Sequence, residues 1–173
     1  MDLEPHENNW RACYGLLAPK LLLYARQWLA DPADAEDAVQ SAFVRFWRHQ
    51  PQAKPEHYPL LYTAVRTCAL DFLRSRQRRV LREKDDRAEM PRFGEAWFDT
   101  RIAERENAET VQGALALLPT EQREVLVLKI WGELTFAQIG HTLGESIHTV
   151  ASRYRYALEA LRRQLKPHEY ERV

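Results

Sequence analysis

In this 173-residue chain the arginines are the residues whose type and spacing could do chemistry. Between Leu60 and Lys84 stand seven bases, Arg66, Arg74, Arg76, Arg78, Arg79, Arg82 and Lys84, against two acids, Asp71 and Glu83. Between Ile147 and Lys166 stand five, Arg153, Arg155, Arg162, Arg163 and Lys166, against Glu159 alone. The whole chain carries 25 Lys and Arg against 25 Asp and Glu, a formal net charge of zero. The stripes are therefore local concentrations, balanced elsewhere by residues such as Asp31, Asp34, Glu36, Asp37, Glu104, Glu106 and Glu109. Two basic stripes on a neutral chain fit two separate contacts with a polyanion. Composition alone fits solvated helix faces at least as well, so the elements that carry the stripes must decide.

Bond-making chemistry finds little support. His6, His49, His57, His141, His148 and His168 are scattered, with no HExxH and no CxxC. His141 and His148 flank a turn but lack Cys, Asp or Glu at a usual ligand spacing. There is no P-loop, no GxGxxG and no GxSxG. No catalytic residue, cofactor or metal is expected. Cys13 and Cys68 cannot build a disulfide framework and read as small buried hydrophobes. No apolar run approaches the roughly 18 residues of a membrane helix. The start is acidic (Asp2, Glu4, Glu7), unlike a secretory signal. A cytoplasmic protein without membrane insertion is expected.

The elements read as helices, with no sustained alternation of period two. A first helix is expected from about Asn9 to Leu29, with Pro19 the place for a bend. Asp31-Pro32-Ala33-Asp34 opens a second: Asp31 caps free amides, and Pro32 suits the first helical position. Its apolar residues, Ala35, Ala38, Val39, Ala42, Phe43, Phe46 and Trp47, form one stripe. Gln50 to His57 reads as a loop. Pro59 opens a third helix to about Arg82, buried along Leu61, Ala64, Val65, Cys68 and Phe72. From Glu83 to Asn107 the periodicity breaks down, which suits a flexible linker.

A second module follows, with one short helix up to Pro119 and another from Thr120 to Trp131-Gly132. Leu134 to Leu165 is the most informative segment. Thr135 and Gln138 form a capping-box pattern, Gly144 suits a turn at positive φ, and Ser146 caps the last helix. Gly140 permits a close crossing, and Ile139, Leu143, Ile147 and Val150 would supply its apolar contacts. This is a helix-turn-helix pattern, whose second helix fits a DNA major groove. The expected fold is all-α: two small helical domains, residues 1–82 and 108–173, joined by a flexible linker at 83–107, the second containing the helix-turn-helix.

Four segments, in order, resemble a family. Asp34-Ala-Glu-Asp-Ala-Val-Gln-Ser-Ala-Phe-Val-Arg-Phe-Trp47 resembles the second conserved region of bacterial sigma factors, and Leu61 to Arg74 resembles the promoter −10 helix of the same domain. Leu117-Leu-Pro-Thr-Glu-Gln-Arg-Glu-Val-Leu126 and Ile147-His-Thr-Val-Ala-Ser-Arg-Tyr154 resemble their −35-binding domain. Order and length are similar to the extracytoplasmic-function group of the sigma-70 family.

The resemblance implies a transcription initiation factor that binds core RNA polymerase through the β′ clamp helices and the β subunit. Asp37, Gln40, Ser41 and Arg45 would dock on polymerase. The loop from Gln50 to Tyr58 would capture an unstacked −10 base. Arg66, Arg74, Arg76, Arg78 and Arg79 would hold phosphates of the −10 DNA, with Thr67 and Asp71 beside them. Ser152, Arg155 and Tyr156 would face −35 bases, while Thr149 and Arg153 lean on phosphates. An anti-sigma factor is implied as a further partner. Three departures bear on promoter preference: Thr67 where many relatives carry Asn, His148 where Gly is usual, and Ala151 where a base is common. Two rivals stay open, a stand-alone helix-turn-helix regulator and a sigma-like decoy that binds a regulator.

Overall fold

A computed structural model describes residues 5–83 and 110–165. The chain divides into two compact units, Met1–Gly94 and Glu95–Val173. Among the described residues every regular element is helical, and no helix is long and apolar enough to cross a membrane. The linker expected at 83–107 lies outside the described residues, apart from Glu83.

In the first unit α1 (Pro5–Ala25), α2 (Pro32–His49) and α3 (Pro59–Glu83) pack on one another. α1 begins and ends about four residues earlier than expected. Its apolar residues lie on nearly every side, so periodicity marks no edge. Pro19 lies within it, where the lost N–H leaves the Gly15 carbonyl without a helical donor. Both residues are exposed, so water reaches that carbonyl. α2 forms as its sequence dictates: Asp31 accepts from the Ala33 amide at 2.9 Å, Pro32 takes the first position, and Ala35, Ala38, Val39, Ala42, Phe43 and Phe46 are buried. Leu21 and Tyr24 of α1 and Leu61 and Val65 of α3 complete the core. Tyr24 meets Tyr62 edge-on at 5.6 Å. Between α2 and α3 the expected loop contains one 3-10 turn, Pro55–His57.

The second unit holds α4 (described over 110–116), α5 (Thr120–Ile130), α6 (Phe136–Leu143) and α7 (Ile147–Leu165). α5 is buried continuously from Arg123 to Leu128, which makes it the central helix rather than an amphipathic cover. Leu115, Leu118, Leu126 and Ala157 form a core cluster on which Trp131, Leu158 and Leu161 pack. Arg123 is only 5% exposed, and its Nη1 donates to the Leu118 carbonyl at 3.5 Å. Burial lowers its pKa to about 10, opposed by Glu124 and Glu121, so it remains cationic at neutral pH.

The helix-turn-helix closes by several local devices. Thr135 Oγ1 accepts from the Gln138 amide at 3.2 Å, and Gln138 Oε1 accepts from the Thr135 amide at 2.8 Å. Gly144 sits at φ 70° in the left-handed region and ends α6. Ser146 Oγ accepts from the Thr149 amide at 3.1 Å and starts α7. At Gly140 a Cβ would lie 2.7 Å from the Glu145 carbonyl oxygen, so the close approach falls on the turn itself. Ile139 and Val150 are fully buried at the α6–α7 contact, and Leu143 is half-buried. Ile147 corrects the expectation: placed among the crossing residues by its spacing, it is 53% exposed. It is the first residue of α7; its backbone lies beside Gly140, and its side chain is only partly covered.

Candidate nucleic-acid and polymerase interfaces

On α2 the four residues expected to dock are all exposed and share one face. Asp37, Gln40, Ser41 and Arg45 are spaced i, i+3, i+4 and i+8, opposite the buried stripe. Val44 lies beside them, 52% exposed, an apolar member that the sequence reading passed over. Its signal was present: it falls outside the stripe of Ala42, Phe43 and Phe46. The charge of Arg45 also acts on a residue of α3. Burial pushes the Cys68 thiol up, the Arg45 guanidinium opposes this, and the Asp71 carboxylate adds to it. Arg45 and Asp71, expected in two different sites, thus flank one buried thiol.

The loop leading to α3 is held at both ends. The Lys54 amide donates to His57 Nδ1 at 3.0 Å, and Ala53 is buried. Tyr58 shares a side-chain hydrogen bond with Cys13 of α1, and burial pushes the pKa of both groups up. Pro51, Gln52, Lys54, Pro55 and Glu56 are left exposed on the outer side of this anchored loop.

α3 does not gather its basic residues on one face. Thr67, Asp71, Arg74 and Arg78 follow one another at i, i+4, i+7 and i+11, a single outward stripe. Thr67 Oγ1 donates to the Thr63 carbonyl at 2.9 Å, and Arg74 pairs with Asp71 at 3.3 Å. Arg76 and Arg79 continue a different line, that of Val65, Cys68 and Phe72, beyond the point where the core ends. There they line a cavity of about 450 Å³ with Leu29, Asp34, Phe72, Leu73 and Ser75. Arg66 is half-buried and stands apart from both lines. Among the described residues Arg76 and Arg78 have no carboxylate at ion-pair distance. Such guanidinium groups cost little to aim at phosphate, because no partner must be given up.

α7 is organised differently. Its buried side is Val150 and Ala157; His148, Arg155 and Tyr156 are exposed, and Thr149 and Ser152 are half-buried. Arg155 lies 5.2 Å from the Tyr156 ring centroid. Arg153, expected to lean on phosphate, is half-buried and donates to Glu145 at 2.9 Å. It ties α7 to the turn before it. Glu145 stands eight residues earlier and across the turn, a separation for which no helical spacing rule gives a signal. No group of three His, Cys, Asp or Glu that could hold a metal occurs among the described residues.

An exposed basic helix in each of two α-helical units, one of them following a closed turn, is an arrangement with known relatives. Residues 13–79 match the family model of sigma-70 region 2, and residues 114–163 match that of sigma-70 region 4. SigL of Mycobacterium tuberculosis, an ECF RNA polymerase sigma factor, is 31% identical over 159 residues, covering 90% of this chain and 88% of its own. SigE of Mycolicibacterium smegmatis is 33% identical over 144 residues, covering 80% of this chain and 54% of its own. The fold is similar to that of RpoE from Bartonella quintana, solved in complex with the anti-sigma factor NepR. That match has a TM-score of 0.68 at 22% identity and covers 92% of this chain and 98% of the other. CnrH, solved with the cytosolic domain of CnrY, matches with a TM-score of 0.61 at 23% identity, covering 92% and 88%. With both regions in order and a relative at this identity along nearly its full length, the chain belongs to the ECF family of RNA polymerase sigma factors.

Proposed function

We propose that this promoter-specific initiation factor divides its work between its two units. Residues 1–82 hold polymerase and the −10 element, and residues 108–173 read the −35 element, with 83–107 connecting them. Asp37, Gln40, Ser41 and Arg45 form the docking face, to which Val44 adds apolar area. Arg74 and Arg78 on one face of α3, and Arg76 and Arg79 on another, hold phosphates of the −10 DNA that pass on two sides of the helix. The anchored loop from Gln50 to Tyr58 receives an unstacked base. On α7, Ser152, Arg155 and Tyr156 face bases and Thr149 leans on phosphate. Arg153 holds the helix in place instead of meeting DNA. The observation that carries this reading is that each unit leaves a basic helix face uncovered by its own core. Tethering two weak DNA contacts to one polymerase raises their effective concentration. The work is binding and local melting in the cytoplasm, without a catalytic step. An anti-sigma factor of the kind seen with RpoE and CnrH is the expected regulator.

In vitro transcription with core polymerase tests the division. Replacing Asp37 and Gln40 together by Ala should weaken polymerase binding about tenfold or more. Folding stability should stay within about 0.5 kcal/mol, as for surface sites. Unchanged polymerase affinity would sink the docking face. If the chain alone bound −35 duplex as tightly as its polymerase complex does, it would act as a stand-alone regulator instead.

A further inference from the structure

The fold of the second unit leaves much of the Ile147 side chain uncovered. The α6–α7 contact is made by Ile139 and Val150, both fully buried, whereas Ile147 is 53% exposed. A β-branched residue has modest helix propensity, and here only partial burial offsets it. The start of α7 is already secured by Ser146, whose Oγ accepts from the Thr149 amide, and by the Arg153–Glu145 pair across the turn. Ile147 is the first helical residue, at the tip that enters a major groove when a recognition helix docks by its N-terminal residues. Ala151, one turn on, leaves only a methyl group beside it. The apolar group that a base pair presents in the major groove is the C5-methyl of thymine.

Resting on the proposed docking of α7, we infer that Ile147 is a further specificity-determining residue, whose exposed side chain packs on a thymine methyl in the −35 element. Arg155 lies eight residues further, about 12 Å along the helix axis. The thymine is therefore a different base pair from the one Arg155 reads. Ile147 selects by van der Waals contact and exclusion of water, with no hydrogen bond and no change in salt dependence.

The test uses the full chain with core polymerase on a promoter it selects from random sequence. Each −35 thymine, on either strand, is replaced singly by deoxyuridine, which removes the methyl and nothing else. At one position the unaltered protein should lose about fourfold in promoter occupancy, the equivalent of roughly 0.8 kcal/mol for one buried carbon group. Ile147→Ala should bind the thymine promoter about as weakly as the unaltered protein binds the uracil one, and should ignore that substitution. Ile147→Val, which keeps the branched shape, should retain the response. Indifference of the unaltered protein to every such substitution overturns the inference, as does an Ile147→Ala protein that responds equally. The uracil arm needs no variant, so a folding defect cannot obscure it. Arg155→Ala, scored on the same library, separates the two levels. If its base preference shifts while the methyl has no effect, only the role of Ile147 fails; if neither matters, the docking of α7 in the groove fails as well.

Discussion

α3 and α7 both carry basic residues on exposed faces, and they differ in how far those residues are buried and tied down. On α3 the helix runs past its own core after Phe72, and Arg74, Arg76, Arg78 and Arg79 are all exposed. Arg74 pairs with Asp71 at 3.3 Å, and Arg78 donates to the Ser75 hydroxyl at 3.3 Å. On α7 the side chains engage their neighbours: Arg153 with Glu145, Ser146 with Thr149 at 2.8 Å, Arg155 with the Tyr156 ring. Exposed charge gives affinity that follows the ionic strength. Side chains fixed in advance lose less freedom on binding and so discriminate better. The difference teaches that a count of arginines does not tell a field from a reader; what each guanidinium already holds does.

The largest expected effect is on the field. Replacing Arg74, Arg76, Arg78 and Arg79 together by Gln should weaken promoter binding by the polymerase complex on the order of a hundredfold at moderate salt. It should also lower the slope of log affinity against log salt by about three, at 0.7 to 0.9 per phosphate lost. Fluorescence anisotropy across a salt series measures both. Because these residues stand on two faces, the pairs Arg74/Arg78 and Arg76/Arg79 should each account for part of the slope. A fall confined to one pair would place the DNA on one side of α3 only.

Next comes the turn that makes α7 a fixed element. Gly140→Ala sets a Cβ 2.7 Å from a backbone oxygen, which has no soft way to move. It should destabilise the second unit by about 2–3 kcal/mol, in the range of overpacked sites. Gly144→Ala meets open space but must hold φ 70°, at a cost of about 1–2 kcal/mol. Urea melts should rank the two in that order. Equal costs would mean that backbone conformation, and not the close approach, governs the turn.

Much of this was legible because local physics wrote it. Asp31, the α2 stripe as far as Phe46, the Thr135–Gln138 box and Gly144 each depend on residues within a few positions, and all appear where they were expected; Trp47, at the end of the stripe, is half-buried. The misreadings fall where a partner's extent matters. Ile147 obeys the helical spacing of the crossing, and its backbone lies beside Gly140, but spacing does not say how far a side chain at the helix end is covered, and Ile147 is 53% exposed. The limits of α1 escaped because a helix apolar on most sides has no boundary in its period. Among the site residues, the face of α2 could be read directly as the complement of a stripe. The splitting of the α3 arginines over two faces was open to the same arithmetic, but the clustering of charge along the sequence hid it.

A smaller effect tests the reader. Arg155→Ala should flatten base preference at one or two −35 positions by about tenfold, near 1.4 kcal/mol, within the range for a bidentate contact with guanine. It should change the salt slope by one at most. A randomised −35 library transcribed by the variant measures the preference. An unaltered preference with a lowered slope would make Arg155 part of the field after all.

The smallest effect decides what Arg153 is for. Its spacing and charge suit a phosphate contact, and in that role Arg153→Ala should lower the salt slope by about one. The structure gives its guanidinium to Glu145 at 2.9 Å, with the two side chains 27% and 35% exposed. A pair that is partly solvated contributes on the order of 0.5–1 kcal/mol, enough to bias the turn but not to hold it alone. Arg153→Ala should therefore lower stability by about that amount and leave the slope unchanged. Glu145→Ala should cost the same stability, and it also frees a guanidinium beside the DNA. Its salt slope should rise slightly where a phosphate contact would have left it alone. In the double variant the losses should fall short of their sum, with the shortfall equal to the coupling between the two residues. If the losses are not additive and Arg153→Ala still lowers the slope by one, the arginine leaves Glu145 when DNA arrives; additive losses would mean that the pair contributes nothing even in the free protein.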